Sequence, residues 1–322
     1  MHTTRSLRPI DLVALVTLDG RVYPNEARPF ERIGLPPATP NPLEHALEWA
    51  LPFASNRRSW MALDGQTLRG IASARRRGAG LWEVDLLIAA SENPATVAMR
   101  LDGPLLQAAL QSRVGRVMVR VDAESPLAAA LTTCGYVRAA AETLWVRAKD
   151  LPCAQATSAL DWRLSTDADR YSCYQLYLAA TPEETRRLEA LSYDEWNSLE
   201  RTRPLGRRGR EWIAEREGVA VARLGVADRG RARLLDLAAR AEAADDLPGL
   251  VARALSGGMA GSGELLALAQ EYAPHVARAL VCLGFEPLAH YVRLVRRLTV
   301  TVSALRPAPV KRGQKRPIMG VR

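Results

Sequence analysis

Three glycines in the segment "SGGMAGSGE", residues 256 to 264, have a spacing that could bind phosphate. Gly258, Gly261 and Gly263 follow the pattern G-x-x-G-x-G. Such a loop wraps a pyrophosphate only where it leaves a buried strand and opens a helix, because the helix N-terminus supplies unsatisfied N–H donors. Here the segment follows the helix-like "LPGLVARAL" and precedes the strand-like "ELLALAQ". The order of elements therefore indicates a connector.

Two aspartates are the best candidates for acid–base chemistry. Asp85 and Asp236 each lie in the middle of an otherwise apolar stretch, "WEVDLLIA" and "RLLDLAA". A carboxylate that is desolvated in a strand has a raised pKa and can accept a proton from an amine. Glu83, two residues before Asp85, shares its face of the strand and could raise its pKa further. The alternative is a solvated strand face or a structural hydrogen bond.

Histidine and cysteine give no metal-binding pattern. Neither residue type shows ligand spacing or a C-x-x-C motif, and the residues concerned are His2, His45, His275, His290, Cys134, Cys153, Cys173 and Cys282. We therefore expect no metal site and no disulfide framework.

Length and charge limit the class of protein. A chain of 322 residues with 48% hydrophobic residues can form about two domains. Of the nine net positive charges, six lie in residues 306–322, which contain no acidic residue. We expect this basic tail to be disordered, with at most a weak nucleic-acid contact. The sequence has no apolar run of membrane-spanning length and no apolar leader, so we expect a cytoplasmic protein with no membrane partner.

The sequence repeats one plan twice. Residues 116–147 and 264–296 both predict a strand, a Pro-containing turn, a short apolar helix, a Gly-aromatic pair and a strand. Gly135 matches Gly284 at an offset of 149 residues. Upstream matches in the same order are Trp60 with Trp212 and Asp85 with Asp236. The repeat predicts that the strands containing the two aspartates hold equivalent places, with Asp85 over Asp236.

Turn and capping residues define the elements within each copy. Asp64-Gly65 and Glu217-Gly218 predict hairpins, and the glycines at 135 and 284 suit a left-handed helix C-terminus. Helical stretches are expected at 95–113 and 244–255, the first broken or delayed by Asp102-Gly103-Pro104. We expect a loop at 24–42 and a linker at 149–161. The predicted organisation is domain 1 at 1–150, domain 2 at 151–305 and the tail at 306–322.

The repeated order of elements resembles the GNAT superfamily of N-acetyltransferases. "CGYVRAAAETLWVR" and "CLGFEPLAHYVRLV" resemble the closing helix-Gly-Phe-strand element of that family. The resemblance implies an α+β fold of two GNAT-like domains, each a mixed, mostly antiparallel sheet flanked by helices. It also implies acetyl-CoA as co-substrate and acetyl transfer to an amine, either a small molecule or a peptide.

Two parts of the family pattern are missing. The family holds the acyl-CoA pyrophosphate in a Q/R-x-x-G-x-G/A loop after the fourth strand, but "ASENPATVAMRLDG" and "RAEAADDLPG" lack its glycines. In the second copy, Asp245 and Asp246 would repel a phosphate. The family also often places a thiolate-protonating Tyr where this sequence has Leu131 and Leu280.

These departures leave two hypotheses. In the first, an N-acyltransferase with an atypical cofactor site uses Asp85 or Asp236 as base, with domain 1 slightly favoured because of Glu83. The resemblance then assigns the pantetheine arm to fourth-strand backbone, at Leu87, Ile88, Ala89, Leu237 and Ala238. The basic segment 203–211 could receive the phosphates, and Tyr171, Tyr174 and Tyr177 could line a pocket. In the second hypothesis the tandem protein is catalytically silent and binds a ligand or partner.

Overall fold

The computed structural model describes most of both copies. The described residues are 2–7, 24–34, 57–65, 67–78, 80–90, 93–148, 157–190, 192–201, 211–229, 232–257 and 263–299. The segment 203–210, the tail 306–322 and most of the linker 149–161 lie outside these ranges. Expectations about the tail, the basic segment and the domain boundary therefore stay predictions.

The first unit contains the elements before residue 149. Its strands are β1 (His2–Ser6), β2 (Arg57–Asp64), β3 (Thr67–Arg76), β4 (Leu81–Ala89), β5 (Arg116–Asp122) and β6 (Val137–Arg147). The helices in its described residues are α1 (Pro94–Gln111) and α2 (Pro126–Thr133).

The second unit contains the elements after residue 156. Its strands are β7 (Trp162–Leu164), β8 (Glu211–Arg216), β9 (Val219–Arg229), β10 (Ala232–Ala239), β11 (Glu264–Gln270) and β12 (Glu286–Arg297). Its helices are α3 (Arg170–Ala180), α4 (Glu183–Glu189), α5 (Tyr193–Arg201), α6 (Leu247–Ser256) and α7 (Pro274–Cys282).

The twelve strands of the described residues form one continuous sheet. The strand order is β1-β2-β3-β4-β5-β12-β6-β11-β10-β9-β8-β7. Among the described strands only β4 with β5 and β10 with β11 pair in parallel, and the other neighbours are antiparallel. The mixed, mostly antiparallel α+β fold expected from the sequence is confirmed. β4 and β10 are each fourth from an edge, the equivalent positions that the repeat predicts.

The two units exchange their last strands. β12 of the second unit lies between β5 and β6, and β6 of the first unit lies between β12 and β11. Each closing strand therefore pairs only with strands of the other unit. The repeat predicts two sheets of the same design, but the sequence did not predict that they join through this exchange.

The matched aspartates differ in register. β4 has a bulge at Asp85, because Ser73 of β3 is opposite Leu86 while Ala74 is opposite Val84. β10 pairs with β9 without any shift. The extra residue in β4 is Asp85 itself, so the pairing registers of β4 and β10 differ on one side of the aspartates, although the strands that carry them correspond. The superposition of Asp85 on Asp236 stays a prediction.

Helix ends and turns agree with the sequence, with one exception. Gly135 and Gly284 have φ values of 87° and 79°, and the aromatic residue after each is buried. The expected break at Asp102-Gly103-Pro104 is wrong, because α1 runs unbroken from 94 to 111. Leu101 and Leu105 are buried on its sheet-facing side, so tertiary packing overrides the local preference of Pro104.

Helices cover the sheet on two faces. α1 and α2 pack on the first unit and α6 and α7 on the second, each against an apolar core. In the second unit α3 and α5 pack on the opposite face, around Cys173, Trp196 and Ile213. The side chain of Asp236 points to that opposite face, since Leu235 and Leu237 belong to the core under α6 and α7.

Candidate functional site

The sheet opens at two places, where its parallel strands separate. β4 and β5 pair only over Leu81–Glu83, and β10 and β11 pair as far as Asp236 opposite Leu268. We call the opening between β4 and β5 the first slot and that between β10 and β11 the second slot. Backbone groups that face a slot have no strand partner there, so each slot can take an extended ligand.

The first slot is filled by the protein's own chain. Asn25 is buried, and its Nδ2 donates to the carbonyl of Asp85 at 3.1 Å while its Oδ1 accepts from Leu87 N at 2.9 Å. Next to it, Glu26 N donates to Leu87 O and Arg28 N donates to Arg120 O of β5, both at 2.8 Å. We call residues 24–34 the strap. It bridges β4 and β5 as an extra strand would.

The strap uses the backbone that the resemblance assigns to the pantetheine arm in the first unit. Both backbone polar groups of Leu87 bond to the strap, and Ala90 N bonds to Arg69 O at 2.8 Å. Ile88 is buried in a small core with Met61 and Leu68, and Ala89 packs against the core under α1. The first slot is therefore closed to an extended ligand.

The carboxylates of β4 belong to an ion-pair network. Asp85 Oδ2 lies 2.5 Å from Arg57 Nη2, and Arg75 Nη2 lies 2.9 Å from Glu83 Oε2. Arg77 Nε is 3.0 Å from the same oxygen of Glu83. Burial raises the pKa of Asp85, and the two arginines beside it, at 57 and 75, offset part of that rise. The network matches the structural alternative considered for Asp85.

The second slot opens into a cavity of about 170 Å³ between the two units. The first unit contributes Phe30, Arg77, Leu81, Glu83, Met118 and Arg120. Among the residues that the second unit contributes are Leu176, Tyr177, Glu189, Trp196, Glu200, Arg223, Asp236, Leu237, Ala238, Gln270, Tyr272 and Arg293. The strap thus reaches both sites, because it fills the first slot and places Phe30 in the wall of this cavity.

Asp236 is the carboxylate of β10 that faces the cavity. Its Oδ2 lies 3.2 Å from Arg223 Nη2, and the other terminal nitrogen of Arg223 lies 2.7 Å from Glu200 Oε2. Leu237 directs its backbone to the second slot, because Arg240 N bonds to β9 and hydrogen-bonding direction alternates along a strand. Of the candidate residues, the structure brings Asp236, Leu237, Ala238 and Glu83 to one cavity.

The first turn of α6 lies where the resemblance places the pyrophosphate, and it is covered. Asp246, just before α6, accepts hydrogen bonds from Ser158 Oγ at 2.9 Å and Ala159 N at 3.1 Å, and it pairs with Arg216. A side chain on Gly249 would lie 2.4 Å from the backbone of Thr157. The helix end is therefore neutralised and packed against residues 157–159.

Tyr177 is the tyrosine of α3 that lines the cavity, whereas Tyr171 is 60% exposed. Its ring packs against Tyr174 and Trp196, with centroids 6.3 and 6.2 Å away. Burial raises the pKa of Tyr177 well above its usual range, so the phenol stays protonated. Tyr177 is one of the three tyrosines whose helical spacing allows them to line a pocket.

Two polar residues that line the cavity, Arg293 of β12 and Gln270 of β11, were not among the residues expected from the sequence. Arg293 of β12 pairs with Glu142 at 3.0 Å and with Glu189 at 2.5 Å, and Glu142 also pairs with Arg120 at 2.5 Å. Arg293 lies in the apolar stretch "HYVRLV", so the signal that singled out Asp85 was present there too. Gln270 at the end of β11 gave a weaker signal.

The described part of the chain also bears on the expectations about metal ligands, membrane-spanning segments and the glycine segment. There, no group of three or more His, Cys, Asp or Glu residues is arranged to hold a metal ion. No helix of the described part is both long and apolar enough to cross a membrane. His275 Nε2 donates a hydrogen bond to Ala239 O, 2.9 Å away, which is a structural role. The glycine segment connects α6 to β11, and its residues 258–262 lie outside the described ranges.

Comparison with known proteins identifies the fold. No family model matches the sequence, and neither does any curated protein. Among solved structures, a GCN5-related N-acetyltransferase from Sphaerobacter thermophilus aligns over 92% of this chain and 95% of that chain, with 14% identity and a TM-score of 0.54. The chain has a tandem GNAT-like fold. A tandem GNAT protein from the clavulanic acid biosynthesis pathway aligns over 92% of this chain and 98% of that one, with 17% identity and a TM-score of 0.52.

Proposed function

We propose that this tandem GNAT-like protein is an acyl-CoA-dependent N-acyltransferase whose reaction takes place at the second slot. The observation that carries the proposal is the difference between the slots. The strap fills the first, while the second opens into a cavity that contains Asp236. We therefore assign catalysis to the second unit, and not to the first unit that the sequence analysis slightly favoured. The first unit supplies part of the cavity wall.

The proposed reaction requires a base near the slot. Attack of an amine on a thioester forms a C–N bond, breaks the C–S bond and releases a proton from the nitrogen. Asp236 would accept this proton, since it faces the cavity beside the point where β10 and β11 separate. Arg223 fixes the carboxylate orientation through its contact at 3.2 Å. Leu237 would hydrogen-bond the pantetheine arm through its backbone.

The fit of acetyl-CoA to the second unit is partial. The second slot suits its extended arm, but the covered first turn of α6 offers no place for its pyrophosphate. The phosphates would need another cationic partner, and the segment 203–211 remains our candidate because it carries four arginines. The acceptor would be a small amine, or a peptide amine that reaches the cavity.

Turnover measurements with matched substitutions test this proposal. A general base contributes about 10²- to 10⁴-fold, so Asp236→Asn should reduce turnover by that factor and leave acetyl-CoA affinity nearly unchanged. Asp85→Asn, at the corresponding strand of the filled slot, is the control and should keep wild-type turnover. Melting curves verify that both variants are folded. Equal losses in both variants, or a loss only in Asp85→Asn, would contradict the assignment.

A second candidate function is ligand or partner binding without catalysis. It is favoured by the covered N-terminus of α6, which removes the usual pyrophosphate site. Calorimetric titration with acetyl-CoA separates the two candidates. The acyltransferase requires binding, and the silent protein predicts none together with no turnover on any amine of a broad panel.

A further inference from the structure

The cavity contains buried polar atoms that have no hydrogen-bond partner. Within the described part of the chain these include the hydroxyl of Tyr177, Oε1 of Gln270 and Nε of Arg293. All three residues line the cavity at the second slot. Buried polar atoms are nearly always satisfied, because an unpaired one loses its hydration without compensation. Their grouping in one cavity points to a polar ligand.

The packing of its ring sets the position of the Tyr177 hydroxyl oxygen. Its ring packs against Tyr174 and Trp196, which also contact each other, and the hydroxyl oxygen has almost no contact with solvent. A phenol can donate or accept one hydrogen bond in this position. Tyr177 therefore presents a fixed hydrogen-bonding group to the cavity.

Gln270 presents an acceptor. Its side chain hydrogen-bonds the carboxylate of Glu142, which only accepts, so the amide nitrogen is the group that donates. The amide oxygen is then the atom left without a partner. A ligand at this position must carry a donor for Gln270.

Arg293 presents a hydrogen-bond donor to the cavity, but its positive charge is already balanced by neighbouring glutamates. Its terminal nitrogens pair with Glu142 and Glu189, while Arg120 pairs with Glu142 as well. Two arginines and two glutamates balance, so the remaining N–H of Arg293 attracts an acceptor but no net negative charge. A carboxylate or phosphate here would be buried without a counter-charge and would repel the two glutamates.

We propose that Tyr177, Gln270 and Arg293 form a binding subsite for a neutral group with both donor and acceptor, a hydroxyl or a carboxamide. The ligand that carries it has about the size of one six-membered ring, since a cavity of about 150 Å³ holds benzene and this one measures about 170 Å³. Leu176, Trp196 and Tyr272 give the ring an apolar wall. The subsite selects the acceptor's polar group, a role that rests on the proposed function.

Fragment binding to the full chain tests the subsite without acetyl-CoA. Ligand-observed NMR titrations would compare benzamide and benzyl alcohol with benzoate and toluene, which share the ring. Benzamide and benzyl alcohol should bind at least fivefold more tightly than the other two. Tyr177→Phe should weaken benzamide binding about three- to tenfold, the worth of a neutral hydrogen bond, and leave toluene binding unchanged.

Tyr174→Phe is the matched control, one turn earlier in α3 and absent from the cavity wall, and it should bind all four fragments like the wild type. Tyr177→Phe should also melt at or above the wild-type temperature, because its hydroxyl has no protein partner. Benzoate binding more tightly than benzamide, no fragment binding, or equal effects of both substitutions would overturn the proposal.

A crystal soaked with benzamide gives an independent test if Tyr177→Phe does not fold. We expect the fragment's amide nitrogen at Gln270 Oε1 and its oxygen at the Tyr177 hydroxyl or Arg293 Nε, and any other placement contradicts the subsite. The two proposals can fail separately. Selective binding without turnover on any amine refutes only the acyltransferase, and turnover without fragment selectivity refutes only the subsite.

Discussion

Replacing Asn25 by Ala should strongly destabilise the protein, because one buried side chain closes the first slot. Asn25 makes three hydrogen bonds, to Asp85 O at 3.1 Å, from Leu87 N at 2.9 Å and from Ala27 N at 3.0 Å. The substitution leaves three backbone groups in the slot without their partner. A buried group left unpaired costs about 1–3 kcal/mol, and water entering the space recovers part of this, so we expect a loss of about 3–5 kcal/mol.

Thermal unfolding followed by circular dichroism measures this loss. At roughly 2 °C per kcal/mol for a chain of this size, Asn25→Ala should lower the melting temperature by about 6–10 °C. Asn93→Ala is the control, since Asn93 also accepts a backbone hydrogen bond, from Thr96 N at 3.1 Å, but at the exposed start of α1. It should cost only about 1 kcal/mol.

The role of the strap is tested by the difference between the stability losses of Asn25→Ala and Asn93→Ala. A loss in Asn25→Ala no larger than in Asn93→Ala would refute the reasoning that the strap closes the first slot. Any acyl transfer should survive at a temperature where Asn25→Ala is folded, since the proposed site is the second slot. Loss of turnover in the folded variant would instead place chemistry at the first.

Two further predictions concern the strand exchange and the covered helix. Burial acts to raise the pKa of Glu142, but Arg120 and Arg293 outweigh it and lower the pKa from 4.5 to about 2. The ionised carboxylate therefore adds about 3 kcal/mol to the free energy of unfolding above pH 4.5, and this contribution is lost as the pH falls towards 2. Glu142→Gln should be less stable than the wild type by about 3–5 kcal/mol at pH 7. Between pH 4.5 and 2 its free energy of unfolding, measured with urea, should fall less than that of the wild type. Two parallel curves of unfolding free energy against pH would contradict this. Gly249→Ala should destabilise by about 1–3 kcal/mol, because its Cβ would lie 2.4 Å from the backbone of Thr157. Helix propensity alone predicts a gain of about 1 kcal/mol, so a raised melting temperature would show that residues 157–159 do not pack there.

Local sequence signals predicted the elements well. The glycines at 65, 135, 218 and 284 all adopt positive φ, where only glycine is free of strain, so they marked hairpins and helix ends correctly. The repeat placed β4 and β10 at equivalent positions. The break expected at Pro104 is wrong, because the unfavourable effect of Pro104 is local and the burial of α1 against the sheet contributes more to the stability of the helix.

The sequence by itself determined the order of elements, their ends and the duplication, because these depend on residues close together in the chain. Only the tertiary structure decided that β6 and β12 exchange places, because the backbone hydrogen-bonding groups at a strand edge do not specify which strand pairs with them. It also decided that Asn25, 62 residues from Leu87, fills the first slot, and that the cavity lies at the second. A hydrogen bond between residues so far apart in the sequence depends on the packing of the elements that separate them, and no local sequence pattern predicts it.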